Sequence, residues 1–260
     1  MNIVVLIKQV PDTWSERTLS DGDKTLDRAS SDAVLDEINE RAVEEALKIK
    51  ESDGGEVTVL TAGPDRATDA VRKALSMGAD KAVHITDDAI HGSDAVTTAR
   101  ILAKAIGTVG DVDLVIAGNE ATDGRSGAMA GMLGELLGWP SLTHANELSV
   151  SGGTASVKRE TDEGTCDVTA SLPAVVSVAE KINEPRYPSF KGIMAAKKKP
   201  VSKIGISDLG LDASEVGLAG SLVQVDSFAP KPPKSGGQKV EDEGDGGAKI
   251  AEFLVGQKLI

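Results

Sequence analysis

The run Ile116-Ala117-Gly118-Asn119-Glu120-Ala121-Thr122-Asp123-Gly124-Arg125-Ser126-Gly127-Ala128-Met129 carries the strongest chemical signal in the sequence. Apolar residues suited to a buried strand give way to a Gly-containing turn, and an apolar helical pattern follows. Free N–H groups at a helix start attract anions, and ligands of open parallel sheets sit at the carboxyl ends of strands. Gly124 and Gly127 would let a phosphate come close to the main chain. A strand-to-helix loop with capping residues and no ligand satisfies the same pattern. The run contains neither GxxxxGK followed by Ser or Thr nor GxGxxG, so neither of those specific phosphate motifs applies. Ala62-Gly63-Pro64 ends a second apolar run and could line the same crevice.

Other chemistry finds little support. His84, His91 and His144 are far apart, with no HExxH or carboxylate spacing around them, and read as structural or solvated residues; no metal site is expected. Cys166 stands alone, which excludes an intrachain disulfide and a Cys-based metal or iron–sulfur site. No Ser sits in a GxSxG elbow and Cys166 has no activating neighbour, so nucleophilic catalysis is not indicated. The stretch 172–200 has another character: a strand, a Pro-braced loop with Tyr187 and Phe190, then the cations Lys197-Lys198-Lys199. An exposed aromatic is a typical binding anchor. Rings packed back onto the body are the alternative.

These residues need a frame. Residues 3–7, 56–60, 81–85 and 113–117 read as short buried strands. Residues 32–51 read as a helix with an apolar stripe of Ala42, Val43, Ala46, Leu47 and Ile49. Pro64 suits the first turn of a helix reaching Met77, Ser93 can cap a helix reaching Ile106, and residues 126–137 read as a further helix. Alternation of this kind requires crossover connections, and so a parallel sheet with helices on both faces. After Pro140 the pattern predicts a hairpin of 148–158 and 166–172 around Asp162-Glu163-Gly164, then a buried strand at 172–179. Residues 226–247 read as a flexible Pro/Gly arm. Residues 248–260 recover a helical stripe in Ile250, Phe253 and Leu254, broken by Gln257. The organisation expected is an α/β domain over 1–200, including the β-rich extension, and a C-terminal arm over 201–260.

A chain of 260 residues makes one large domain or two small ones. With 40% apolar and 27% charged residues it has the composition of a soluble globular protein. Aromatics are only 2%, against stacking platforms for bases or sugars. The net charge of −13 repels phosphate backbones, so nucleic acid is not an expected partner. Two accounts of the acid excess stand: a cationic partner or, favoured here, a salt-rich cytoplasm in which screening is strong and acidic surfaces keep proteins soluble. The start lacks the basic flank and cleavage site of a signal peptide. No apolar run approaches the ~20 residues that span a bilayer. A cytoplasmic protein that is not itself a membrane protein is expected.

LPAVV followed by NEPRY, then IM and a Lys run, resembles the signature of the beta subunit of electron transfer flavoproteins. IVVLIKQVPDT, AVEEALKIKE, VTVLTAGP with VRKALSMGADKAVHI, and DLVIAGNEATDG with LGWP extend the resemblance over nearly the whole chain. The resemblance implies an adenine-nucleotide alpha-hydrolase-like (Rossmann-like) fold and a heterodimer with an alpha subunit that holds most of a redox-active FAD. It implies a structural AMP in the beta subunit, replaced by a second FAD in electron-bifurcating members. It implies an electron-carrier subunit, not an enzyme, working between acyl-CoA or related dehydrogenases and a quinone oxidoreductase. A stand-alone nucleotide-binding module of the same fold is a competing possibility.

The family's nucleotide contacts map onto Leu6, Asp36, Glu37, Ile38, Asn39 and Ala62, and onto Gly118, Asn119, Glu120, Ala121, Thr122, Asp123, Gly124, Arg125, Ser126, Gly127, Ala128 and Met129. Its partner-docking loop maps onto residues 179–199, including Asn183, Glu184, Pro185, Arg186, Tyr187, Ile193 and Met194, with the protruding apolar anchor at Phe190. A glutamate that engages the mobile FAD domain falls on Glu160. The C-terminal arm would embrace the alpha subunit. Asp36-Glu37 stands where relatives often have Asn-Pro, and Arg125, in a segment often polar in relatives, could itself grip a phosphate.

Overall fold

The structure is a computed structural model and describes residues 1–233, 236–237 and 239–260. In chain order its elements are β1 (Asn2–Leu6), β2 (Gln9–Pro11), β3 (Ala33–Leu35), α1 (Glu37–Asp53), β4 (Glu56–Ala62), α2 (Thr68–Met77), β5 (Lys81–Ile85), α3 (Ala95–Val109), β6 (Leu114–Gly118) and α4 (Met129–Leu137). Then come β7 (Ser141–Ala145), β8 (Glu147–Ser151), β9 (Thr154–Thr161), β10 (Gly164–Ser171), β11 (Ala174–Val178), α5 (Phe190–Ala196), β12 (Val201–Ile204), α6 (Gly217–Gly220) and α7 (Gly246–Gly256).

Seven strands form one sheet in the order β12-β5-β4-β1-β6-β11-β7, parallel at every pairing. The central strands are buried on both faces, which explains their unbroken β-branched runs. One face packs against α1 and α2, with Val5, Val59, Ile116 and Val176 meeting Val43, Leu47, Val71 and Leu75. The other packs against α3 and α4, with Val4, Leu60, Val115 and Val175 meeting Ile101, Ile106 and Leu133. The expected α/β architecture with helices on both faces is therefore present.

Several expected boundaries move, each for a local reason. The helix expected from residue 32 begins at Glu37, because Ala33–Leu35 pairs antiparallel with Gln9–Pro11 and Asp36 then caps the helix. Asp94, not Ser93, caps α3, its carboxylate accepting from Thr97 N at 2.8 Å. The helix expected from residue 126 starts at Met129, because Arg125 (φ 49°) and Gly127 (φ 64°) take left-handed conformations that no helix continues through. The expected hairpin is a three-stranded antiparallel sheet, β10-β9-β8. Its extra turn falls at Gly152-Gly153, both at positive φ, as a tight two-residue hairpin turn demands. β7, α5 and β12 were not anticipated.

Residues 1–226 form one compact unit, which runs past residue 200 because β12 pairs with β5 at the sheet edge. Residues 227–260 form a second. It contains α7, in which no residue is buried and Ile250, Phe253 and Val255 are exposed. The sequence-predicted arm at 226–247 includes residues 234, 235 and 238, which lie outside the described residues. Among the described residues, no helix is long and apolar enough to cross a membrane.

Candidate functional site

From β1 the chain builds outward to β4 and β5, then crosses through α3 to β6 on the other side of β1. At that reversal α1 and α3 lie on opposite faces of the sheet, and a crevice opens at the strand ends. A cleft of about 360 Å³ occupies it. Leu6, Ala62 and Gly118 line it from the ends of β1, β4 and β6, over an apolar floor that includes Leu60, Leu102 and Ala117. Asn39 enters from α1, and Asn119, Glu120, Ala121, Gly124, Arg125, Ser126, Gly127 and Met129 close one side.

The other sequence-predicted nucleotide residues do not line the cleft. Asp36 is buried behind it: its carboxylate accepts from Ile38 N at 3.0 Å, Thr122 N at 2.7 Å and Thr122 Oγ1 at 2.9 Å, pinning the 119–128 loop to the start of α1. Ile38 packs in that same junction. A Cβ on Gly118 would lie 2.8 Å from Ile38 Cγ2 and 2.9 Å from Asn39 Nδ2, so only glycine lets α1 sit this close to β6. Ala128 precedes α4, and Glu37 faces solvent.

Asp123 organises the charge of the cleft from behind. Its buried carboxylate accepts from Lys8 Nζ at 2.7 Å and from Arg28 Nε and Nη2 at 3.0 and 2.9 Å. Burial pushes its pKa up, but Lys8 and Arg28 together outweigh burial and hold the carboxyl below the usual carboxylate range. Burial in turn lowers the pKa of Lys8, against the pull of Asp123. One carboxylate thus faces two cations, and both cations line the cleft.

The two helix starts at the cleft differ. Asp94 fills the start of α3 and also takes Leu222 N at 2.7 Å and Val223 N at 3.1 Å. The residue before α4 is Ala128, which has no side-chain acceptor, so the first N–H groups of α4 stay available beside Gly127 and Met129. Asn119 adds a second open group: its N–H is used by Val178 O at 2.9 Å, while its buried Oδ1 has no partner. An apolar floor, an unpartnered amide oxygen and an uncapped helix start beside cations suit a flat, amino-bearing ring joined to a phosphate. Among the described residues no cluster of metal ligands accompanies them. Lys8, Arg28, Ser93 and Thr98 line the cleft and were missed; Arg28 lies 95 positions from its partner Asp123, and no local pattern joins them.

The second sequence-predicted region is clamped to α1. Asn183 Nδ2 donates to Arg41 O at 3.0 Å and Glu45 Oε2 at 2.9 Å, and Arg41 Nη1 donates to Asn183 O. Arg186 donates to Glu44 through Nε at 2.7 Å and Nη2 at 3.0 Å, and also pairs with Glu51. Beyond this base Tyr187 is 96% exposed and Phe190 is 81% exposed. Phe190 opens α5, capped by Ser189, rather than sitting in a turn. Ile193 and Met194 are half exposed one helical turn later. Glu184 and Pro185 complete the base, Glu184 lying 3.8 Å from Arg41 Nη1. Glu160 is exposed near the tip of the β9–β10 hairpin, 3.3 Å from Lys181. The histidines stay apart: buried His84 lies 3.0 Å from Gly63 O, His91 is 2.7 Å from Asp23, and His144 sits in β7.

The chain matches the Electron transfer flavoprotein domain family over residues 23–209. It is 61% identical to an electron transfer flavoprotein subunit beta of Mycobacterium tuberculosis, an alignment covering 100% of this chain and 99% of that protein. It is 33% identical to the subunit beta of Megasphaera elsdenii over 100% of both chains. It is 36% identical to the Caffeyl-CoA reductase-Etf complex subunit CarD of Acetobacterium woodii, over 92% of each.

Proposed function

Because the chain belongs to the electron transfer flavoprotein family and matches its beta subunits along its full length, we propose that it is the nucleotide-holding subunit of a heterodimer that carries electrons for acyl-CoA or related dehydrogenases. The cleft holds AMP. The unpartnered, buried Asn119 Oδ1 carries this reading, because it is an acceptor waiting for a donor and the exocyclic amino group of adenine is one. The phosphate goes to the uncapped start of α4, with Lys8 and Arg28 supplying positive charge. AMP has no redox chemistry, so its role is structural. FAD, held mainly by the alpha subunit, supplies the electron-carrying chemistry. The chain itself shapes that site, offers Glu160 to the FAD-bearing domain, and presents the Tyr187–Phe190 surface to the donor dehydrogenase. A quinone oxidoreductase is the acceptor, the arm beyond Asp226 clasps the alpha subunit, and the heterodimer works in the cytoplasm.

One observation favours a second reading. An adjoining cavity of about 210 Å³ shares Lys8, Arg28, Ala62 and Ser93 with the cleft and adds Arg66 and His91. It offers room and positive charge for a longer dinucleotide, such as a second FAD in place of AMP. The test is nucleotide content. Gly124 lines the cleft and a Cβ there meets nothing within 4 Å, so Gly124→Val directs its side chain from open space toward a bound ligand. Acid extracts of the heterodimer should yield one AMP, and Gly124→Val should reduce it. Two flavins without AMP would establish the second reading, and neither nucleotide would refute both.

A further inference from the structure

Helix α1 touches both regions described above, through neighbouring turns. Its first turn belongs to the cleft: Asn39 lines it and accepts Lys8 N at 2.7 Å, while Ile38 and Asn39 bear on Gly118. Its next turns belong to the aromatic surface. Arg41 and Glu45 take the side-chain hydrogen bonds of Asn183, and Glu44 takes the Arg186 backbone N–H and half of its side-chain bonds, the other half going to Glu51 on the same helix. Glu44 and Glu45 are 5% and 6% exposed, unusual for carboxylates on a helix, and both take part in this clamp, Glu45 also pairing with Lys48 at 3.3 Å. A second tie runs beside the first, since Asn119 N–H donates to Val178 O at 2.9 Å, five positions before Asn183.

We propose that α1 is a common mount, on which filling of the cleft by an adenine nucleotide fixes the pose of the Tyr187–Phe190 surface, with Glu44 and Glu45 as its positioning residues. The inference rests on the proposed nucleotide and docking roles and gives the structural nucleotide a purpose. An empty cleft leaves Asn119 Oδ1 unpaired, while the 119–128 loop is held from behind, by Asp36 on Thr122 and by Asp123 on Lys8 and Arg28. A ligand that needs Asn39 and Asn119 in place restricts the start of α1 and the end of β11, and the clamp then has less freedom to lose when a partner docks. Ordering by one ligand that lowers the cost for another is positive coupling. Coupling of binding energies is reciprocal, so docking tightens the nucleotide by the same factor.

The test uses the heterodimer freed of nucleotide by dialysis against bromide, with AMP as the probe. Amide hydrogen exchange is followed over residues 183–196 with and without saturating AMP, and AMP affinity is measured with and without the cognate dehydrogenase. AMP should slow exchange over 183–196 by about fivefold or more, and the dehydrogenase should tighten AMP by a similar factor. In Glu44→Gln, AMP should still bind while its effect on the exchange of 183–196 disappears. A merely structural role for Glu44 would speed exchange equally with and without AMP. Asn183→Ala attacks the clamp from the loop side and serves the same purpose if Glu44→Gln fails to fold. AMP that binds without altering exchange or docking overturns the coupling and leaves the nucleotide site standing. Failure of AMP to bind overturns both.

Discussion

Replacing Phe190 with alanine separates docking from folding. A fully buried large apolar side chain is worth about 1.5–3 kcal/mol. Phe190 is 81% exposed, so about a fifth of that, a few tenths of a kcal/mol, is engaged within the chain. The other four-fifths, about 1.2–2.4 kcal/mol, is available to a partner that buries the ring. Each 1.4 kcal/mol is tenfold, so Phe190→Ala should weaken docking roughly sevenfold to fiftyfold. Melting temperature and flavin content should stay nearly unchanged, because Ser189 still caps α5, and Gly192 still lets α5 lie against the Ser76 carbonyl. The assay is flavin bleaching of the heterodimer by a cognate acyl-CoA dehydrogenase at several dehydrogenase concentrations. Unaltered kinetics would refute the anchor. Slow transfer together with lost flavin or a collapsed melting temperature would show that the ring supports the fold.

Further outcomes follow from the same structure. The Asp123 carboxyl is held below the usual range, so its stabilisation is present above pH ~4 and fades as pH falls through its lowered native value. Asp123→Asn should therefore lower the melting temperature at pH 7 and flatten its fall on acidification; parallel curves would deny the pair this role. Truncation after Asp226 removes the second compact unit and should loosen the heterodimer while the remaining chain melts as before; a truncated chain that unfolds alone would place the tail in its own core. With a net charge of −13 the melting temperature should climb as KCl is raised toward molar concentrations, since the Debye length falls from about 30 Å at 0.01 M to about 3 Å at 1 M. A melting temperature indifferent to salt would favour a cationic partner as the reason for the acid excess.

What the sequence made legible is what local pattern encodes. Ile3, Val4 and Val5, or Val175 and Val176, are buried from both faces, so each strand announces itself as an unbroken apolar run. The stripe of Ala42, Val43, Ala46, Leu47 and Ile49 is wholly buried, as helical spacing requires. The Gly-containing loop after β6 was visible because a strand end feeding a helix leaves few other uses for its glycines. What was not legible depends on distant partners. α5 is seven residues long with a glycine inside and two prolines just before it; it exists because Ser189 caps it and because Ala196 and Gly192 find room against α2. β12 is four residues after a lysine run and acquires its identity from pairing with β5. Lys8 and Asp123 are 115 positions apart, and their ion pair has no sequence signature. Arg125 at positive φ delayed α4 against its own apolar pattern, and positive φ at a residue other than glycine is a choice made by the assembled site.

Whether this beta subunit's cleft holds an adenine nucleotide within a flavin-bearing heterodimer is decided by native mass spectrometry of the purified complex. The expected mass equals this chain, one alpha subunit, one FAD and one AMP, with the AMP leaving together with this chain when the subunits are separated in the gas phase. A complex that carries no nucleotide on this chain, or a chain that purifies as a flavin-free homo-oligomer, would contradict it.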